Sequence, residues 1–125
     1  MTDYLSYEDV LQVAEGVLGQ VVVADAGLLA SAVLRPRVTV FAEDAYPTLA
    51  DKAAALLHGI ARNDALVDGN KRLAWAAARV FLLMNGYSII YTIDDAEATV
   101  LGVAQGDVNV AELATWLRSR MAVAG

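Results

Sequence analysis

"RNDALVDGNKRLAW" runs from Arg62 to Trp75 and separates two long helical patterns. Before it, "TLADKAAALLHGIARN" opens on Thr48 with Asp51 three residues on, an arrangement that caps a helix start. Its apolar positions Ala53, Leu56, Leu57 and Ile60 recur at helical spacing. After it, Leu73, Ala76, Ala77, Val80, Phe81 and Met84 trace one face of a second helix that starts at Asn70. Trp75 and Leu82 carry apolar character to another face. This fourth helix of the chain is therefore expected to be central and buried on most sides, with Asn85-Gly86 as its C-cap.

The join between these helices carries the chemistry. A glycine, Gly69, stands directly before the helix start at Asn70, and Lys71 and Arg72 occupy the first turn. Helix N-termini expose unpaired N–H groups and partial positive charge, so they bind phosphate. Cations in the first turn oppose the helix dipole, and a bound anion compensates them. Gly69 lets the backbone approach a ligand closely. Asp68 is placed to hold a Mg²⁺ ion that bridges phosphate oxygens. The plain alternative is an Asp-Gly turn followed by a solvated basic turn.

The rest of the chain fits one domain spanning residues 1–125. "YLSYEDVLQVAEGVLG" reads as a first helix capped by Ser6, and "DAGLLASAVLRP" as a second, capped by Asp25 and ended by Pro36. "QVVVADAG" between them fits either a short strand or a buried connector. In "RVTVFAEDAYP" the alternation of Arg37, Thr39 and Phe41 with Val38 and Val40 suggests a short strand or hairpin arm. "YSIIYTI" is a second strand candidate. Two closing helices follow, the last with Arg118 and Arg120 near its C-terminus. The fold class expected is mainly all-α, about six helices with short β pieces.

There is no cysteine, which excludes disulfides and thiol catalysis. The acidic start "MTDYLSYEDV" is not a signal peptide, and the longest uncharged run, Val80 to Ile93, is too short to span a bilayer. A cytoplasmic protein without a membrane partner is expected. Net charge is −6, against direct nucleic-acid binding, yet seven of the nine bases lie between Arg35 and Arg79 with only five acids. That distribution suits a local anionic ligand. A hydrophobic content of 58% suggests that a partner covers some apolar surface.

"DALVDGNKR", Asp64 to Arg72, resembles the signature loop of the Fic/Doc family, His-x-Phe-x-Asp-(Gly/Ala)-Asn-x-Arg. Asp68, Gly69, Asn70 and Arg72 match it, and Lys71 is the residue of Doc-type toxins where AMP-transferring Fic enzymes carry glycine. The flanking helical segments are similar as well. The resemblance implies a Fic/Doc-like bundle with a β-like flap at "RVTVFAED" that aligns a protein target. It implies that Asp68 binds the metal, that Asn70 and the Gly69 turn line the anion site, and that Lys71 and Arg72 hold nucleotide phosphates. The implied cofactors are ATP and Mg²⁺. The implied reaction is phosphorylation of a threonine of translation elongation factor Tu, which stops translation. The implied controlling partner is a Phd-like antitoxin whose tail folds as a helix into an apolar groove. An AMP transferase and a non-catalytic nucleotide-binding module are the alternatives.

The signature histidine, the base that deprotonates the incoming hydroxyl, is Asp64 in this chain. Ordinary aspartates titrate near 3.9 and histidines near 6.5, so the exchange moves the base away from the working pH. Kinases nevertheless use an aspartate for this step. Deliberate replacement to disarm a toxic protein ranks first, a naturally weakened relative second, and an aspartate-based enzyme third. His58 lies six residues upstream of Asp64, too far along the chain to serve as the motif base, and reads as a partly buried structural histidine. The self-inhibitory Fic pattern (Ser/Thr)-x-x-x-Glu-(Gly/Asn) is absent: its nearest run, "TVFAED", ends in Asp44 and falls in the flap region.

Overall fold

The computed structural model describes all 125 residues. In chain order the helices are α1 (Tyr7–Leu18), α2 (Ala26–Leu34), α3 (Leu49–Asn63), α4 (Asn70–Met84), α5 (Ile93–Ala104) and α6 (Val110–Arg120). A 3-10 turn, Arg35–Arg37, follows α2. Two small antiparallel pairs complete the fold: β1 (Thr39–Val40) with β2 (Glu43–Asp44), and β3 (Tyr87–Ile89) with β4 (Met121–Val123). The mainly all-α expectation holds.

Local chemistry sets the helix starts. Ser6 and Asp9 form a reciprocal capping box at α1, Thr48 and Asp51 at α3, and Asn109 and Glu112 at α6. Asp25 caps α2 through the N–H of Leu28. Pro36 lies inside the 3-10 turn after α2 and is buried there.

The centre of the molecule is α3, not α4. Ten residues of α3 are buried, six of α4, and α4 leaves Lys71, Arg72, Arg79 and Met84 exposed. The reason is side-chain size. Ala50, Ala53, Ala54, Ala55, Gly59 and Ala61 keep α3 slender, so neighbours approach it from several sides. A Cβ on Gly59 would sit 3.2 Å from the Ala32 Cβ of α2, so glycine sets that helix–helix distance. Between these small residues Leu56, Leu57 and Ile60 fill the core, each contributing about 1.5–3 kcal/mol by burial. One cluster of 25 buried residues joins all six helices.

Two connectors differ from expectation. "QVVVADAG" is neither strand nor buried: Val22, Ala24 and Asp25 are exposed, and only Val23 forms a bridge, to Leu66. The chain after α6 turns directly into β4, pairing Met121 with Ile89 and Val123 with Tyr87. The "RVTVFAED" region is a hairpin whose two-residue tip, Phe41 and Ala42, has φ of 52° and 65°. The "TVFAED" run is thus extended and not an inhibitory helix.

Candidate active site

The α3–α4 loop is held in place by its apolar middle. Ala65 and Leu66 are buried, 2% and 3% exposed, while Asp64, Val67 and Asp68 face solvent. The Ala65 carbonyl accepts from the N–H groups of Ala24 and Asp25 at 2.8 and 3.0 Å, and Val67 N–H donates to the Val22 carbonyl at 3.0 Å. The loop is in this way stitched to the connector between α1 and α2.

Asn70 completes the clamp. Its side-chain oxygen accepts from Leu66 N–H at 3.0 Å, and its Nδ2 donates to the Leu66 carbonyl at 2.9 Å. The side chain expected to line the anion site therefore shapes the loop, and what it leaves facing outward is backbone. Gly69 has φ of +87°, and a Cβ there would meet both Leu18 methyl carbons at 2.6 Å. The left-handed backbone favours glycine, and an added Cβ would also have to push the Leu18 side chain aside.

The sequence-predicted residues have unequal freedom. Asp68 is exposed. Its Oδ1 accepts from Gly69 N–H at 2.9 Å, and its second oxygen carries no protein hydrogen bond. No group of three or more His, Cys, Asp or Glu side chains gathers as a metal cage. Asp68 therefore offers one carboxylate oxygen to an ion whose other ligands would come from elsewhere. Lys71 is exposed and forms no ion pair or hydrogen bond, so its ammonium is free at the helix start. Arg72 is exposed too, but its Nη2 donates to the Val17 carbonyl at 2.6 Å, at the C-terminal end of α1. It meets a phosphate only if it leaves or shares that carbonyl.

Asp64 ends α3 in the left-handed conformation, φ 49° and ψ 42°. Aspartate, asparagine and histidine are the non-glycine residues most often found there. The backbone at the motif position thus accepts either an aspartate or a histidine.

The basic middle segment is not one anion patch. Arg35 donates to His58 Nδ1 at 2.9 Å and to Tyr46 Oη at 3.1 Å, Arg37 lies over the Tyr4 ring, and Arg62 donates to the Ala104 carbonyl at 2.8 Å. Lys52 is buried, 2% exposed. Most of these cations are spent on structure. His58 is half-buried, and burial first, then Arg35 and Arg62, lower its pKa below the ordinary 6.5. A histidine accepting from a guanidinium is neutral, which agrees with a structural role.

One feature outside the signature joins the site. A cleft of about 560 Å³ between α4 and α5 is lined by Lys71, Arg72, Trp75, Arg79, Tyr91 and Leu101, among others. Trp75 meets Tyr91 edge-on at 4.9 Å, and Arg79 lies over the Tyr91 ring at 5.1 Å. Lys71, Trp75 and Arg79 are four residues apart, so their shared stripe on α4 was readable in the sequence. The partnership with Tyr91 was not.

Residues 4–82 match the profile of the Fic/DOC family. The chain is also 50% identical, over 129 aligned residues, to a protein named Toxin Doc from Mycolicibacterium smegmatis, an alignment covering 99% of this chain and 98% of the relative. With the Gly69 turn, the basic first turn of α4 and the six-helix bundle already in view, these similarities settle its kinship: the chain belongs to the Fic/Doc family.

Proposed function

We propose that this protein is a Doc-type toxin of a toxin–antitoxin pair, built on a scaffold that phosphorylates a threonine of elongation factor Tu with ATP in the cytoplasm, and weakened or silenced at Asp64. The observation that carries this reading is the unpaired Lys71 beside the glycine turn that opens α4. Gly69 and the first N–H groups of α4 offer a dipolar cradle to phosphate oxygens, and Lys71 adds a full charge. Asp68 is the residue that would hold Mg²⁺, which supplies neutralisation of charge on the phosphates. The threonine Oγ attacks the γ-phosphorus, the bond from phosphorus to the β,γ-bridging oxygen breaks, and ADP leaves. The threonine proton passes to the side chain at position 64. Asp64 carries a shorter side chain than the family's histidine and reaches the hydroxyl differently, so it slows this step while leaving the cradle whole.

AMP transfer is the second reading, since the α4–α5 cleft with Trp75 and Tyr91 offers an apolar surface to a nucleobase. A lysine at position 71 favours phosphoryl transfer over it. Expression of the Asp64→His variant tests the toxin reading. Growth arrest is expected, with relief by co-expressed cognate antitoxin; a harmless variant that folds normally overturns it.

A further inference from the structure

Lys52 is the only charged residue in the buried set, at 2% exposure, and the site described above does not use it. It lies in the first turn of α3, and its Nζ donates to Asp44 Oδ2 at 3.0 Å and to the Tyr46 carbonyl. Asp44 belongs to β2 and is half-exposed. A buried ammonium is costly unless paired, and an apolar side chain would fill the same space more cheaply. Here it is paired, and the pair joins the core of α3 to the β1–β2 hairpin.

The hairpin above it has little to hold it in place. Each strand has two residues, all of them exposed, and a pair that short has no stability of its own. Its tip is locally unfavourable, because Phe41 and Ala42 both occupy positive φ without being glycine. Phe41 is 97% exposed, so no intramolecular packing compensates. The hairpin must be held from its base. There the Ala45 N–H donates to the Val38 carbonyl at 2.9 Å, and Arg35 ties Tyr46 Oη to His58 of α3. Lys52 adds the one link that runs from the core of α3 to the strand itself. Asp64 ends the same helix, twelve residues on, about 18 Å along its axis. A single rigid element thus connects the base of the hairpin to the reacting position.

We infer that Lys52 is a positioning residue for the protein substrate: a buried latch through which α3 fixes the angle of the β1–β2 hairpin relative to position 64. This rests on the reading of the chain as an enzyme that modifies a protein hydroxyl, with an extended target segment aligned on the hairpin edge. The latch touches neither substrate nor nucleotide. It acts through Asp44 and Tyr46.

The test uses the full chain, its Lys52→Met variant, which keeps length but not charge, and Lys52→Arg, which keeps charge. Each is titrated with elongation factor Tu and, separately, with ATP and Mg²⁺, and hydrogen exchange is followed at the amides of residues 38–46. Lys52→Met is expected to weaken elongation factor Tu binding about tenfold or more, as misplacement of a positioning element does. ATP affinity is expected to stay within about twofold, since the two sites are far apart. The hairpin amides should exchange faster while those in the middle of α3 do not, and Lys52→Arg should recover most of the target affinity. Unchanged target affinity, equal loss of both ligands, or unchanged hairpin exchange overturns the latch. If the unsubstituted chain binds no elongation factor Tu, the protein-kinase reading and the positioning role fall together, and that outcome is visible before any substitution is compared.

Discussion

On the proposed function, the side chain at position 64 governs catalysis and not nucleotide binding. Asp64 sits in a left-handed cap that histidine also tolerates, so the exchange alters chemistry without disturbing the backbone. Position 71 gives the complementary case. Lys71 has no partner in the fold, so Lys71→Ala is expected to leave urea stability within about 0.5 kcal/mol of the parent. The same change is expected to weaken ATP about tenfold by calorimetry, the loss of one charge-assisted contact. A Lys71→Ala protein that binds ATP normally would remove the basic first turn from the site. Arg72 cannot give so clean a result, because its guanidinium also caps α1 through Val17.

His58 makes a pH prediction. Its folded pKa lies below 6.5, so between the folded and unfolded values the unfolded chain binds more protons. Its contribution to stability is therefore complete above pH 6.5 and is lost as pH falls through the folded value. In His58→Gln, which can still accept from Arg35, stability measured by urea should fall less steeply from pH 7 downward than in the parent. Parallel slopes would show that His58 does not titrate differently on folding.

At the scale of elements, the α4 start depends on Gly69. Gly69→Ala adds a Cβ 2.6 Å from the Leu18 methyls and forces alanine to φ +87°. A loss of about 1–3 kcal/mol is expected in urea unfolding. Combining it with Leu18→Ala should relieve the clash but not the dihedral, so the double variant should still unfold more easily than Leu18→Ala alone. Equal stability of those two proteins would mean that the loop relaxes to another conformation.

Local chemistry made the helices legible before the structure. Ser6 with Asp9 and Thr48 with Asp51 are capping boxes closed within four residues, and the structure contains both. The strand β4 was invisible because Met121–Val123 follows α6 without a turn signal and gains strand character only from distant Tyr87–Ile89. The centrality of α4 was overestimated for a related reason. Periodicity identifies an apolar face, but the slender alanines of α3 decide which helix the others can surround.

For the molecule as a whole, the signature loop was readable and its supporting contacts were not. Gly69 and Lys71 could be placed from their position at a helix start. Arg72 on Val17 joins residues through the fold, and neither it nor the local contacts of Asn70 with Leu66 and Lys52 with Asp44 is announced by a spacing rule. The 58% hydrophobic content has a visible counterpart in exposed Val38, Val40 and Phe41 at the hairpin and Ile93 and Leu101 lining the α4–α5 cleft. No helix is long and apolar enough to cross a membrane. Those surfaces leave room for protein partners.

On the proposed function, a Doc-type phosphate cradle remains in this chain with its base exchanged. This reading is tested most directly by incubating purified Asp64→His protein with elongation factor Tu and ATP labelled either at the γ- or at the α-phosphorus, beside the unsubstituted chain. Label from γ-labelled ATP should appear on elongation factor Tu with Asp64→His, with little or none from the unsubstituted chain. Label from the α-position instead, or none from either, would overturn the Doc-type reading.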